Sequence, residues 1–250
     1  MKTILLKSII GIALFVMPII TMSQTVVTGD AADGMVYDAT VGTTNNPYTS
    51  DVGDASGAGI NGIKVGSSDL GGGLTLINGI LVFQLPERPV GQVVTAGELA
   101  LDFAYKRDWV SGSFDLYGLP YSSSAALAAD MHYDGAFLAD QSGNTGLQDA
   151  FWTAPAGAAG YTVPGAVTSD ASSLIADYLN AQYDAGAVAG DYVFLRLSPD
   201  ETYQDNGNFV LVSSGDATED AIKPKLTITY GEPVSTVESI VTGDAADGMV

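Results

Sequence analysis

Three groups of residues in this chain have the types and spacing to do chemistry, and each implies a different partner. Lys106-Arg107-Asp108-Trp109 sets an indole face beside two cations and a carboxylate. With Trp152 and the loop tyrosines Tyr121, Tyr133 and Tyr161 it supplies the material of a sugar site. There an aromatic face stacks on the apolar face of a pyranose ring while polar neighbours orient the hydroxyls. The alternative for both tryptophans is burial, with each indole N–H satisfied locally. The second group is acidic: Asp30, Asp33 and Asp38 with Asp51 and Asp54, and Asp200, Glu201 and Asp205 with Asn206 and Asn208. Hard cations take several oxygen ligands from such loops, so one structural calcium per unit is expected. Solvated turns are the alternative, since neither cluster has EF-hand spacing. The third group excludes more than it offers. His132 is the single histidine and there is no cysteine, so Cys–His, histidine-zinc and Ser-His-Asp sites lack their parts. No carboxylate pair stands out as a glycoside-hydrolysing couple, and the chain is expected not to be an enzyme.

Behind these residues lies a duplicated stretch that sets the domain plan. Val27-Thr28-Gly29-Asp30-Ala31-Ala32-Asp33-Gly34-Met35-Val36 returns letter for letter as Val241–Val250, an offset of 214 residues (241 − 27). Self-similarity of that kind marks a repeated unit. One unit is expected over 27–230, a linker over 231–240, and the start of a second unit at 241–250. The other possibility is a duplicated strand that serves the same domain. Ahead of the unit, Lys2 and Lys7 precede an apolar run, Ile9–Ile20, too short to span a bilayer. With small residues near Ser23 this reads as a signal peptide over 1–23, and hence as a secreted or cell-surface chain.

Charge narrows the partners. Losing Lys2 and Lys7 takes nine basic residues to seven against 29 acidic ones, and the net charge from −20 to −22. Such a surface repels nucleic acid and anionic membrane; neither nucleic-acid binding nor membrane insertion is expected. Solubility alone also accounts for it.

Hydrophobic patterning then supplies the elements. Ile80–Leu85 is an apolar run stopped by Pro86, while Leu99, Leu101 and Phe103 alternate, as do Phe114 and Leu116. Tyr192–Leu197, Phe209–Val212 and Lys225–Tyr230 close the unit as strands. One helix is predicted from an N-cap at Ser169 or Asp170 to about Tyr183, with Leu174, Ile175, Tyr178 and Leu179 on one face and Gly186 as its stop. The stretch 38–62 reads as a polar loop, Ala125–Ala129 as a helical turn, and 133–165 shows no period. Asp205–Asn208 is a candidate tight turn between the strands on either side. The fold class is all-β: an antiparallel jelly-roll-like β-sandwich with one short crossover helix.

The order of these pieces resembles the extracellular DNRLRE-type repeat domain, a relative of alginate-binding carbohydrate-binding modules. The resemblance rests on Asp33-Gly34-Met35-Val36, Ile80–Pro86, Val94–Leu101, Phe114–Gly118, Trp152–Pro155, the helix with Tyr192–Leu197, and Pro224–Tyr230. It spans nearly all of 27–230, although the string that names the family is absent. It implies a secreted jelly-roll-like sandwich, repeated along a chain and in some cases a polysaccharide binder. Uronate recognition would call for Lys and Arg, which this acidic unit has in short supply. Two functions follow as expectations: a non-catalytic module binding extracellular polysaccharide, or a structural spacer repeat of a surface adhesin or stalk whose partners are neighbouring repeats.

Overall fold

The computed structural model describes residues 22–38, 45–48, 62–69, 74–107, 113–133, 137–138, 140–141, 143–153, 165–199 and 209–233. The strands are β1 (Ser23–Thr28), β2 (Gly34–Asp38), β3 (Asn45–Tyr48), β4 (Gly62–Asp69), β5 (Leu74–Gln84), β6 (Val93–Arg107), β7 (Ser113–Ser122), β8 (Asp140–Gln141), β9 (Asn144–Thr153), β10 (Gly165–Thr168), β11 (Tyr192–Pro199), β12 (Phe209–Ser213) and β13 (Lys225–Gly231). The helix α1 (Ser172–Asp184) follows β10, and a 3-10 turn occupies Ala129–Met131. Among the described residues the thirteen strands join in one antiparallel sheet, ten of them in the order β1-β13-β6-β12-β4-β5-β11-β7-β9-β8, with β10 paired to β6, β2 to β5 and β3 to β2. The all-β, antiparallel expectation is met at this level.

Two long strands carry the sheet, and each divides one of its edges between two partners. Along β6, residues 93–100 pair with β13 and 103–107 with β12, while β10 takes the opposite edge at 100–103. Along β5, residues 74–77 pair with β4 and 79–84 with β11, while β2 takes the opposite edge at 77–80. A strand whose alternate residues all meet protein reads as a continuous apolar run. That is why Ile80, Leu81, Val82 and Phe83 are all buried. Leu81 and Phe83 enter the main core with Leu99, Phe103, Phe114 and Leu195. Ile80 and Val82 enter a second cluster with Val36, Leu119, Leu127 and Phe194 on the other face.

Helix α1 lies on the main core and is pressed close to two strands. A Cβ on Gly97 would stand 2.3 Å from Ile175 Cγ2, and one on Gly118 would stand 2.5 Å from the Tyr178 ring. Glycine at these points is what lets the helix reach the strands. Tyr178 Oη then donates to the carbonyl of Leu119 at 2.7 Å. Gly186, with φ 110°, ends the helix as predicted. Its N–H bonds Tyr183 O, and the Ala187 N–H bonds Gln182 O, a Schellman pair.

Several local expectations are corrected. Neither Ser169 nor Asp170 caps α1; the N-cap is Ala171, without a side-chain bond. Ser169 Oγ accepts the Leu99 N–H at 3.0 Å instead, and Asp170 joins Gln148. β6 is a single strand of 15 residues. β3 lies within the predicted polar loop, and β9 within the stretch that showed no period. β11 and β12 do not form a hairpin, because β4 and β5 stand between them. Asp205–Asn208 itself lies outside the described residues. The second decamer lies outside them too, as does most of the predicted signal peptide.

Candidate functional site

Chain direction gives the molecule two poles. β1 pairs with β13 so that Ser23 faces Tyr230, and Gly231 faces Val93 at the start of β6. The turn 85–92, the end of β7 and the start of β11 share this pole, since Gln84 and Ser122 both lie opposite Tyr192. At the other pole Arg107 faces Phe209, and Ser113 faces Thr153 while Pro199 faces Phe114. The unit's first and last strands therefore enter and leave together, and a different set of strand ends meets at the far pole.

At that far pole the predicted sugar residues divide. Lys106 and Arg107 are the last residues of β6, and Trp109 lies just past them, outside the described residues. Trp152 is 6% exposed, with its ring stacked on Phe103 at 5.3 Å and on Phe114 at 5.1 Å. It is a core residue and offers no face to a sugar: the apolar area around β7 and β6 claims it. Tyr121 sits at the opposite end of β7, where its hydroxyl donates to the Ala185 carbonyl at 3.2 Å. It stands seven positions from Phe114, about 23 Å along a strand, so it does not join Lys106 and Arg107. Tyr161 falls outside the described residues.

The acidic clusters are also redistributed. Asp33 is buried, and one carboxylate oxygen accepts the Val82 N–H while the other accepts the Gly215 N–H at 3.0 Å. Asp30 Oδ1 accepts the Ala32 N–H at 2.9 Å, and the Asp30 N–H bonds Val82 O. These bonds lock the 29–33 turn against β5 and take up both Asp33 oxygens, which corrects the reading of Asp33 as a cation ligand. Asp38 ends β2 opposite Asn45; Asp51, Asp54, Asp200, Glu201 and Asp205 lie outside the described residues. Among the described residues no group of three or more His, Asp or Glu side chains is assembled to hold a metal ion.

A polar island that the sequence reading missed lies on the outer face of β7 and β11. Arg196 is fully buried; its Nε donates to Ser198 Oγ at 2.8 Å and its Nη1 to the Met131 carbonyl at 3.0 Å. Its guanidinium stands 4.5 Å from the Tyr117 ring and 5.2 Å from that of Tyr133, within cation–π range. The Tyr133 N–H bonds Asn78 Oδ1, and the Leu138 N–H bonds Tyr117 Oη. Arg196 thus fastens the covering segment to the sheet. Burial lowers its pKa, against the neighbouring tyrosines, and raises that of Tyr117 to about 12. The available signal was one cation inside the apolar strand Tyr192–Leu197, where it needed partners.

Beside the island a cavity of about 560 Å³ is lined by Leu119, Pro120, Ser122, Asp130, His132 and Asn144, among others. It offers hydroxyl, amide, imidazole and carboxylate groups over an apolar floor. Among the described residues of its lining, Asp130 is the one carboxylate. The chain matches no known family model, and no curated protein matches it.

Proposed function

We infer that this chain is a secreted, non-catalytic β-sandwich module that binds extracellular polysaccharide at the pole opposite the start of β1 and the end of β13. The observation that carries this reading is the pairing of β1 with β13, which puts both tethers at one pole. The far pole holds Lys106 and Arg107 at the end of β6, and Trp109 follows Arg107 by two positions in the sequence. With Trp152 in the core, Trp109 is the tryptophan that remains for stacking on a pyranose face. The acidic chain disfavours uronates and points to a neutral glycan.

The jelly-roll-like arrangement belongs to the same proposal. It is supported by the way β5 and β6 each divide an edge between two partners. It is supported again by the contact of Phe103 on β6 with Phe114 and Trp152, which lie far along the strand order.

The alternative, a spacer in a stalk, fits the geometry less well. With both ends at one pole, a repeat advances by its linker plus about one inter-strand spacing. Five residues, 232–236, separate the end of β13 from the counterpart of Ser23 at Val237. They reach roughly 17 Å, and one spacing adds about 5 Å, whereas a 15-residue strand spans about 50 Å. A stalk built this way would waste most of each unit's length.

Retention of the full chain on insoluble xylan and neutral β-glucans, with alginate as the anionic comparison, tests the reading. Saturable binding to a neutral polymer, reduced at least tenfold in Trp109→Ala, is expected. Undiminished binding by that variant, or binding to none of the polymers, would discard it.

A further inference from the structure

The first copy of the repeated segment shows how far the duplication extends. β1 starts four residues before the identical decamer, and at the same offset the sequence is still alike. Gln24, Thr25 and Val26 correspond to Glu238, Ser239 and Ile240. The half-buried positions of β1, Thr25 and Val27, return as Ser239 and Val241. The groups that seat the turn also recur. Gly29 N–H bonds Pro224 O, Asp30 N–H bonds Val82 O, and Asp33 takes the Val82 and Gly215 N–H groups. Gly243, Asp244 and Asp247 repeat all three residues.

Chain length permits the second copy to reach the same seat. Ser23 faces Tyr230, and six residues, Gly231–Thr236, separate Tyr230 from Val237, the counterpart of Ser23. Such a loop, with Gly231 and Pro233 in it, is close to the usual length for joining antiparallel strands. It would set Val237 opposite Tyr230 in the register that β1 uses. Of the exchanged residues, 23–28 form the edge strand β1 with β13 as its ladder partner, whereas Gly34–Val36 pair with β5 and bury Met35 and Val36, positions that Gly248, Met249 and Val250 repeat.

We propose that residues 237–250 compete with residues 23–36 for this one seat, forming a hairpin with β13 of their own chain. Seating the second copy releases the first, and the released strand is then free to enter the same seat on another copy of the chain. The opening segment becomes an exchangeable junction between units. A loop this short gives the same-chain occupant an effective concentration on the order of millimolar, well above that of a second chain at micromolar concentration.

Because the chain has no cysteine, paired thiols report the register directly. In the full chain, Thr227→Cys is combined in turn with a cysteine at each of positions 238–242 and oxidised. Val26→Cys with Thr227→Cys is the reference, since those residues face each other. The expected result is an intrachain link that peaks at Ile240→Cys, at least fivefold above Ser239→Cys and Val241→Cys, whose side chains point to the other face. Equal yields at all five positions would mean a freely sampling tail and would overturn the proposal. So would no link at Ile240→Cys when the reference links fully, or a link found between chains alone. Should Thr227→Cys impair folding, Thr229→Cys with Glu238→Cys tests the same register, because Gln24 faces Thr229.

Discussion

Replacing Asp33 separates a structural acid from a cation ligand. Its carboxylate accepts two backbone N–H groups, from Val82 in β5 and from Gly215 in the turn after β12. Truncation in Asp33→Ala leaves both donors without that acceptor. Each buried donor so left unsatisfied costs about 1–3 kcal/mol, giving a loss of about 2–6 kcal/mol. For a unit of this size that corresponds to a fall in Tm of about 4–24 °C. Asp33→Asn keeps one acceptor oxygen and turns the other into a donor facing an N–H, so its loss should approach that of Asp33→Ala. Differential scanning calorimetry of the full chain, with calcium and with chelator, reads the effect. The fall should be the same in both conditions. A fall of less than about 2 °C would refute the locking role, and a fall confined to calcium-containing buffer would return Asp33 to a metal site.

Two further perturbations probe the packing and the ionisable groups. Gly118→Ala drives a methyl group into the Tyr178 ring, 2.5 Å away, and should destabilise by about 1–3 kcal/mol; a melt indistinguishable from the parent would show that α1 is not pressed onto β7. Burial raises the pKa of Tyr117, Tyr178, Tyr183 and Tyr230 above the ordinary phenol value. Their contribution is fully present below about pH 10 and is lost as pH rises beyond it, at about 1.4 kcal/mol per pH unit for each tyrosine held protonated. Arg196, whose pKa is lowered by burial, acts in the opposite direction and offsets about one of the four. Denaturant melts from pH 8 to 11.5 should therefore show a plateau and then a decline, with phenolate absorbance appearing as the fold is lost. Stability that rises above pH 10 would contradict the burial of these hydroxyls.

The period-two strands were legible because one face of each meets the core. Leu99, Leu101 and Phe103 are buried as their alternation implied. The helix was legible in extent and stop but not in its cap, because Ser169 is drawn away by the Leu99 N–H, a partner 70 residues distant. β9 was hidden for a related reason. Its burial follows pairs rather than alternation, with Gly146 and Leu147 buried together and Phe151 and Trp152 together. The register against β7 is also irregular between Phe114 and Tyr117, and Ala150 takes φ 48°. Of the candidate sites, Trp152 and Asp33 were misread in the same way. Residue type marks what a side chain can do, but the packing of a stacked indole and the acceptor role of a buried acid depend on strands distant in sequence. Arg196 was passed over because nothing local shows that Tyr117, Tyr133 and Met131 converge on it.

Hydrogen–deuterium exchange of the full chain, with and without a saturating neutral polysaccharide taken from the retention panel, tests the location of binding most directly. The predicted result is protection at the strand ends 104–107, 113–115, 152–153 and 197–199, and none at 86–93 or 185–191. Protection centred on the pole where β1 and β13 meet, or no protection anywhere under saturating polymer, would contradict a ligand held at the end opposite the tethers.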